Sequence, residues 1–71
     1  MNAQILREIE GVYIRAIAKH RRRELDRGER HASEVARGLA LNDALKSAHK
    51  YGLSSEEMRD ISAHLSKRIS P

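Results

Sequence analysis

ILREIEGVYIRAIAKHRRRELDR, residues Ile5 to Arg27, is the stretch on which the fold turns. At about 100° per residue, Val12, Ile5, Ala16, Ile9, Tyr13, Leu6 and Ile17 fall within roughly 140° of a helical wheel. That is the broad apolar stripe of a helix packed on a core. Ile14, Ala18 and Leu25 form a thinner stripe on the opposite side. A helix in so small a protein has one intramolecular core to face, so the second stripe points to a partner chain. The competing reading is that Ile14 is an ordinary exposed apolar residue. The residues expected at a dimer interface are Ile5, Ile9, Val12, Tyr13, Ile14, Ala18 and Leu25.

Beyond Ile17 the main stripe changes character, because its next positions are His20, Arg23, Glu24 and Arg27. Lys, Arg, Glu and Leu are good helix formers, so the helix is expected to continue to about residue 27. It no longer has an apolar face to bury and is expected to project into solvent or towards an acidic partner. Arg21, Arg22, Arg23 and Arg27 fall in its last turns, where cations complement the helix dipole. Gly28 is a natural stop, since glycine takes a left-handed conformation at no steric cost. A single long helix running through Gly28 is the alternative.

Working outward, composition narrows the rest. With 71 residues the chain makes one domain, and a core this small needs a staple. Cysteine is absent, which excludes disulfides, thiolate metal sites and thiol redox chemistry, and leaves oligomerisation as the staple. With no Phe or Trp, the core has to come from Ile, Leu, Val, Ala and Met. The single Pro is the last residue and Gly is sparse, which favours an all-helical chain. The apolar run from Val12 to Ala18 is interrupted by Arg15 and is too short to span a bilayer, and no secretory signal is seen. A cytoplasmic protein without integral membrane association is expected.

The net charge of +4 is uneven. Lys19 to Arg37 carries seven Lys and Arg against four Asp and Glu, whereas Met1 to Ala18 is balanced. Such a patch attracts nucleic acid or an acidic protein surface. A solvated face laced by salt bridges through Glu24, Asp26, Glu29 and Glu34 is the plainer alternative.

A second helix is expected from about residue 33 to 51. Its apolar residues do not keep one stripe. Ala32, Val35, Ala36 and Leu39 share one face, and Ala40, Ala44, Ala48, Leu41 and Leu45 share another. Either the helix bends near Gly38, with Asn42 capping a restarted segment, or it is buried on two sides. Gly52 then fits a helix C′ position, with Leu53 as the apolar residue that follows. Ser54 and Glu57 make a capping box, flanked by Leu53 and Met58 as a hydrophobic staple. The third helix is expected over 55–68, burying Met58, Ile61, Leu65 and Ile69, with Lys67 and Arg68 in its last turn. The fold expected is all-α: a long first helix packed on a helical hairpin, in a homodimer.

The segment Ala48–Ile61 resembles the helix-turn-helix of small bacterial and phage DNA-binding regulators. Ala48 is the small residue where the helices cross, Gly52 makes the turn, Leu53 plugs it, and Met58 and Ile61 hold the second helix down. The resemblance implies that Ser54, Ser55, Glu56, Arg59 and Asp60 face the groove, although Glu56, Glu57 and Asp60 would repel phosphates. His20 to Glu24 is similar to arginine-rich RNA-binding helices of phage antiterminators. Glu10–Arg22 resembles a helix of TraM-type antiactivators, small dimeric helical proteins that silence quorum-sensing regulators; this implies a protein partner. Ser62 to Ser66 is similar to helical-hairpin aspartyl-phosphate phosphatases, but Ser66 stands where their essential Asp belongs, so that activity is set aside.

No catalytic or cofactor-binding set emerges. His20, His31, His49 and His64 form no i, i+4 metal pair and read as solvated helix residues. The expected function is therefore non-enzymatic, without metal or cofactor. It is a small regulator binding nucleic acid, DNA ahead of RNA, through Lys19, Arg21, Arg22, Arg23, Arg27, Arg30, Lys46, Lys50, Ser55 and Arg59. The alternative is a dimeric helical inhibitor of a transcriptional regulator, acting through a protein partner.

Overall fold

Three helices make up the chain in a computed structural model that describes residues 2–68: α1 (Ala3–Asp26), α2 (Ala32–Lys50) and α3 (Ser55–Arg68). Ile69, expected on the buried face of α3, lies outside the described residues. Asn2 starts α1 by accepting a hydrogen bond from the Gln4 amide at 2.8 Å. Gly28, at φ +77, ends it. There the Gly28 amide donates to the Leu25 carbonyl and the Glu29 amide reaches back to Glu24, the paired bonds of a Schellman turn. The helix therefore stops before Gly28 and does not run through it. Gly52, at φ +72, closes α2 in the same left-handed conformation. Ser54 and Glu57 then cap α3 reciprocally, each backbone amide donating to the other's side-chain oxygen at 3.1 and 3.2 Å.

The tightest pairing is between α1 and α2, which lie antiparallel across the Gly28 turn, with α3 laid on the open end of that hairpin. Ile9, Tyr13 and Ala16 of α1 meet Ala40, Ala44 and Ala48 of α2 and Ile61 and Leu65 of α3 in one core. Ile5, Leu6, Ile17, Leu41, Leu53 and Met58 pack around it.

The buried face of α2 is made of alanine alone: Ala32, Ala36, Ala40, Ala44 and Ala48. A four-residue step turns about 40° further than a full helical turn, so this seam rotates by roughly 160° along the helix. The rotation explains why no single apolar stripe is visible in the sequence. The helix runs unbroken past Gly38 and Asn42, so Asn42 caps no restarted segment. Val35 and Leu39, on the face shared with Ala32 and Ala36, are exposed in the single chain.

The C-terminal half of α1 does not project freely. His20 and Glu24 are largely covered, with side chains 14% and 12% exposed, and Ala32 and Ala36 are buried on the neighbouring half of α2. Alanine is short enough for polar stems of α1 to lie against it while their heads reach water. Ile9 and Tyr13, expected at a dimer interface, are spent on the chain's own core, at 0% and 3% exposure. Ile5 and Val12 are half-buried, whereas Ile14, Ala18 and Leu25 face outwards.

Two variants separate these roles. Ala44→Leu adds volume to a closed seam and should lower stability by about 1–3 kcal/mol in urea unfolding. Gly38→Ala should raise it by about 0.4–1 kcal/mol, because Gly38 is helical, exposed and has nothing within 4 Å of an added Cβ.

Candidate nucleic-acid interface

Three side-chain ties fix the register of α1 and so decide which of its cations share a face. The Tyr51 hydroxyl donates to Glu8, joining the start of α1 to the end of α2. His64 Nε2 lies 3.0 Å from Glu10 Oε1, joining α3 to α1. His20 Nε2 lies 2.8 Å from Asp43 Oδ2, joining the second half of α1 to the middle of α2. Two of the four histidines are thus interhelical partners, where solvated residues were expected. Nothing in the local sequence marks these pairs, because the partners stand 43, 54 and 23 residues apart.

The His20 pair has an electrostatic setting. Hydrogen bonding to His20 holds the Asp43 carboxyl below the usual carboxylate range, helped by the charges of His20, Lys46 and Lys19. Lys19 from α1 and Lys46 from α2 thus both lie near this carboxylate, without an ion pair to it. Lys50 stands one helical turn beyond Lys46 on the same helix.

The arginines cluster at the Gly28 turn. Lys19, Arg21, Arg22, Arg23, Arg27 and Arg30 are all exposed. Among the described residues, only Arg27 of this set holds a carboxylate within 4.0 Å, Glu24 at 3.6 Å. The nearby acids are otherwise occupied. Glu29 accepts from the His31 amide at 3.2 Å, and Glu34 lies 3.9 Å from His31 Nδ1. Asp26 remains exposed as the acid facing solvent among these arginines. The salt-bridge-laced face that the sequence allowed is thus confined to Arg27.

Ser55 and Arg59 stand apart from this cluster. Both are exposed at the start of α3, beyond the C-terminal end of α2. Arg30 precedes the opposite end of α2, a 19-residue helix that at 1.5 Å per residue is about 28 Å long. The arginines and the start of α3 thus sit at opposite ends of an elongated body of 38 × 20 × 18 Å. Ser55 opens a first turn that carries Glu56 and Glu57, and Glu57 is committed to the cap. Hydrogen bonds from the Ser54 amide and side chain hold the Glu57 carboxyl below its usual range.

No group of three or more His, Asp or Glu side chains is placed to hold a metal ion among the described residues. No described helix is long and apolar enough to cross a membrane. No protein-family model, curated protein or solved structure matches the chain.

The Asp43 environment has a pH signature. A carboxyl whose folded pKa is depressed contributes stability above its unfolded pKa and loses it as pH falls through the folded value. Urea unfolding midpoints followed from about pH 5 to pH 2 should fall more steeply for the unaltered protein than for Asp43→Asn. Equal slopes would show that the His20 contact is not maintained in solution.

Proposed function

We propose that this chain is a small non-enzymatic regulator that binds the phosphate backbone of nucleic acid, duplex DNA ahead of RNA. The α1–α2 hairpin supplies the contact surface. The observation that carries this reading is the set Lys19, Arg21, Arg22, Arg23 and Arg30, all exposed and without a carboxylate within 4.0 Å among the described residues. Lys46, which like Lys19 lies near enough to Asp43 to lower its pKa, extends that surface to α2. Duplex DNA is favoured because its major groove admits a helix, whereas the deep, narrow major groove of A-form RNA excludes side chains.

The helix-turn-helix resemblance enters this reading as scaffold. Ala48 and Ile61 are buried and Leu53 and Met58 pack on the core, as a close junction between two helices requires. A reading role for α3 has less support. Glu56, Glu57 and Asp60 all lie near its N-terminus, where they would face phosphates.

Binding to random duplex DNA should weaken steeply with salt, losing about 0.9 in logarithmic slope per neutralised phosphate. Replacing Arg22 and Arg23 together by Glu should flatten that slope by about 2. Arg59→Ala should leave both affinity and slope nearly unchanged. Absence of binding at low salt would overturn the reading.

The competing reading, a dimeric helical module acting on another protein, draws on the outer stripe of α1. Ile14 and Leu25 are each 54% exposed, and Ala18 lies between them. Within the DNA-binding reading the same stripe serves for pairing two copies. Light scattering of Ile14→Glu/Leu25→Glu should give the monomer mass while helicity is kept. A dimer mass retained by this variant would remove the stripe from the interface.

A further inference from the structure

A second surface lies away from the arginines. It is an open groove of about 490 Å³ beside the C-terminal half of α2, lined by Asn42, Leu45, Lys46, His49, Lys50 and Met58. We propose that this groove docks an acidic amphipathic helix of another protein.

Its floor is apolar. Met58 rests its inner side on the core, while Leu45 lies outside the set of apolar residues packed there. Leu45 is half-buried, so part of a large aliphatic side chain stays open to the groove among the described residues. Methionine is unbranched and adaptable, a common feature of surfaces that accept helices. The rim is cationic or polar: Lys46, Lys50, His49 and Asn42, with no carboxylate among the lining residues.

The spacing fits a helix as occupant. Positions 42, 45, 46, 49 and 50 follow an i, i+3, i+4, i+7, i+8 pattern, one straight face along α2. A helix laid beside that face presents its own i, i+3, i+4 and i+7 side chains to the floor. Carboxylates on its flanks then meet Lys46 and Lys50.

Charge and chemistry disfavour the other occupants. The exposed apolar stripe of a second copy, Ile14 and Leu25, is flanked by Arg15, Arg21 and Arg22, which would meet the lysine rim with like charge. A single-stranded nucleic acid needs several aromatic planes for its successive bases, and the groove offers only the His49 imidazole.

The probe is a synthetic helical peptide of about 18 residues with Leu at i, i+3, i+4 and i+7 and Glu on both flanks. It is titrated into the full chain while the methyl resonances of Leu45 and Met58 are followed. Saturable shifts at both methyls are expected. Leu45→Asn and the double variant Lys46→Glu/Lys50→Glu should each weaken the peptide by about tenfold or more. Leu45→Asn should lower the melting midpoint only slightly and keep the helical spectrum at the assay temperature and the affinity for duplex DNA, so loss of peptide binding is neither unfolding nor failure of the nucleic-acid reading. The proposal is overturned if the acidic peptide leaves both methyls unmoved, or if a peptide with Lys replacing Glu binds equally well. It is also overturned if duplex DNA, and not the peptide, shifts these resonances.

Discussion

Everything in this fold depends on how closely the backbone of α2 can approach its neighbours. Ala36, Ala40, Ala44 and Ala48 are all completely buried, and none carries more than a methyl group. The bulk of the core is supplied from the other side, by Ile9 and Tyr13 on α1 and by Ile61 and Leu65 on α3. A small protein without Phe, Trp or Cys has only Tyr13 as a large ring in its core and no disulfide cross-links. It gains it here from proximity, where many weak dispersion contacts accumulate across a narrow interface.

The same close approach sets the electrostatics. Along the first half of α1 the partner residues are apolar, but along the second half they are His20 and Glu24 lying over the alanine face. Polar side chains can occupy that position because their heads remain hydrogen-bonded or ion-paired, and no buried side-chain nitrogen or oxygen lacks a partner among the described residues. The result is that Glu24 is drawn inwards, while Asp26, Glu29 and Glu34 stay at the surface. Of the arginines at the turn only Arg27 holds a carboxylate among the described residues, so the surface there is dominated by positive charge. The apolar groove next to Met58 lies towards the other end of α2; Lys46 belongs to both surfaces, so only substitutions such as Leu45→Asn on one side and Arg22→Glu on the other address them separately.

What the sequence revealed and what it concealed follow from range. The Ser54–Glu57 cap and the stops at Gly28 and Gly52 are written in residues a few positions apart, and each is found where its local pattern puts it. The main stripe of α1 was legible for the same reason, since Ile9, Tyr13 and Ala16 repeat at helical spacing. The alanine seam was not, because alanine is only weakly apolar and a four-residue repeat drifts around the helix. The outward position of Val35 and Leu39 was hidden with it. The site was legible only as a list of cations. That Lys46 would join Lys19, and that Ser55 and Arg59 would lie at the far end, depended on the register of α1 against α2. That register is fixed by His20–Asp43 and Tyr51–Glu8, which have no local signature.

The Schellman turn at Gly28 has a kinetic consequence. It joins the two helices that share the largest interface through a short connection, so contacts close to the turn close the shortest loops and those at the open end follow. Each contact formed shortens the loop the next must close, which limits the entropy lost in bringing α1 onto α2. α3 brings its own start signal in the Ser54–Glu57 cap but rests on fewer contacts. The helical hairpin is therefore the natural nucleus of folding, and α3 the last part to settle and the first to exchange its amide hydrogens with solvent.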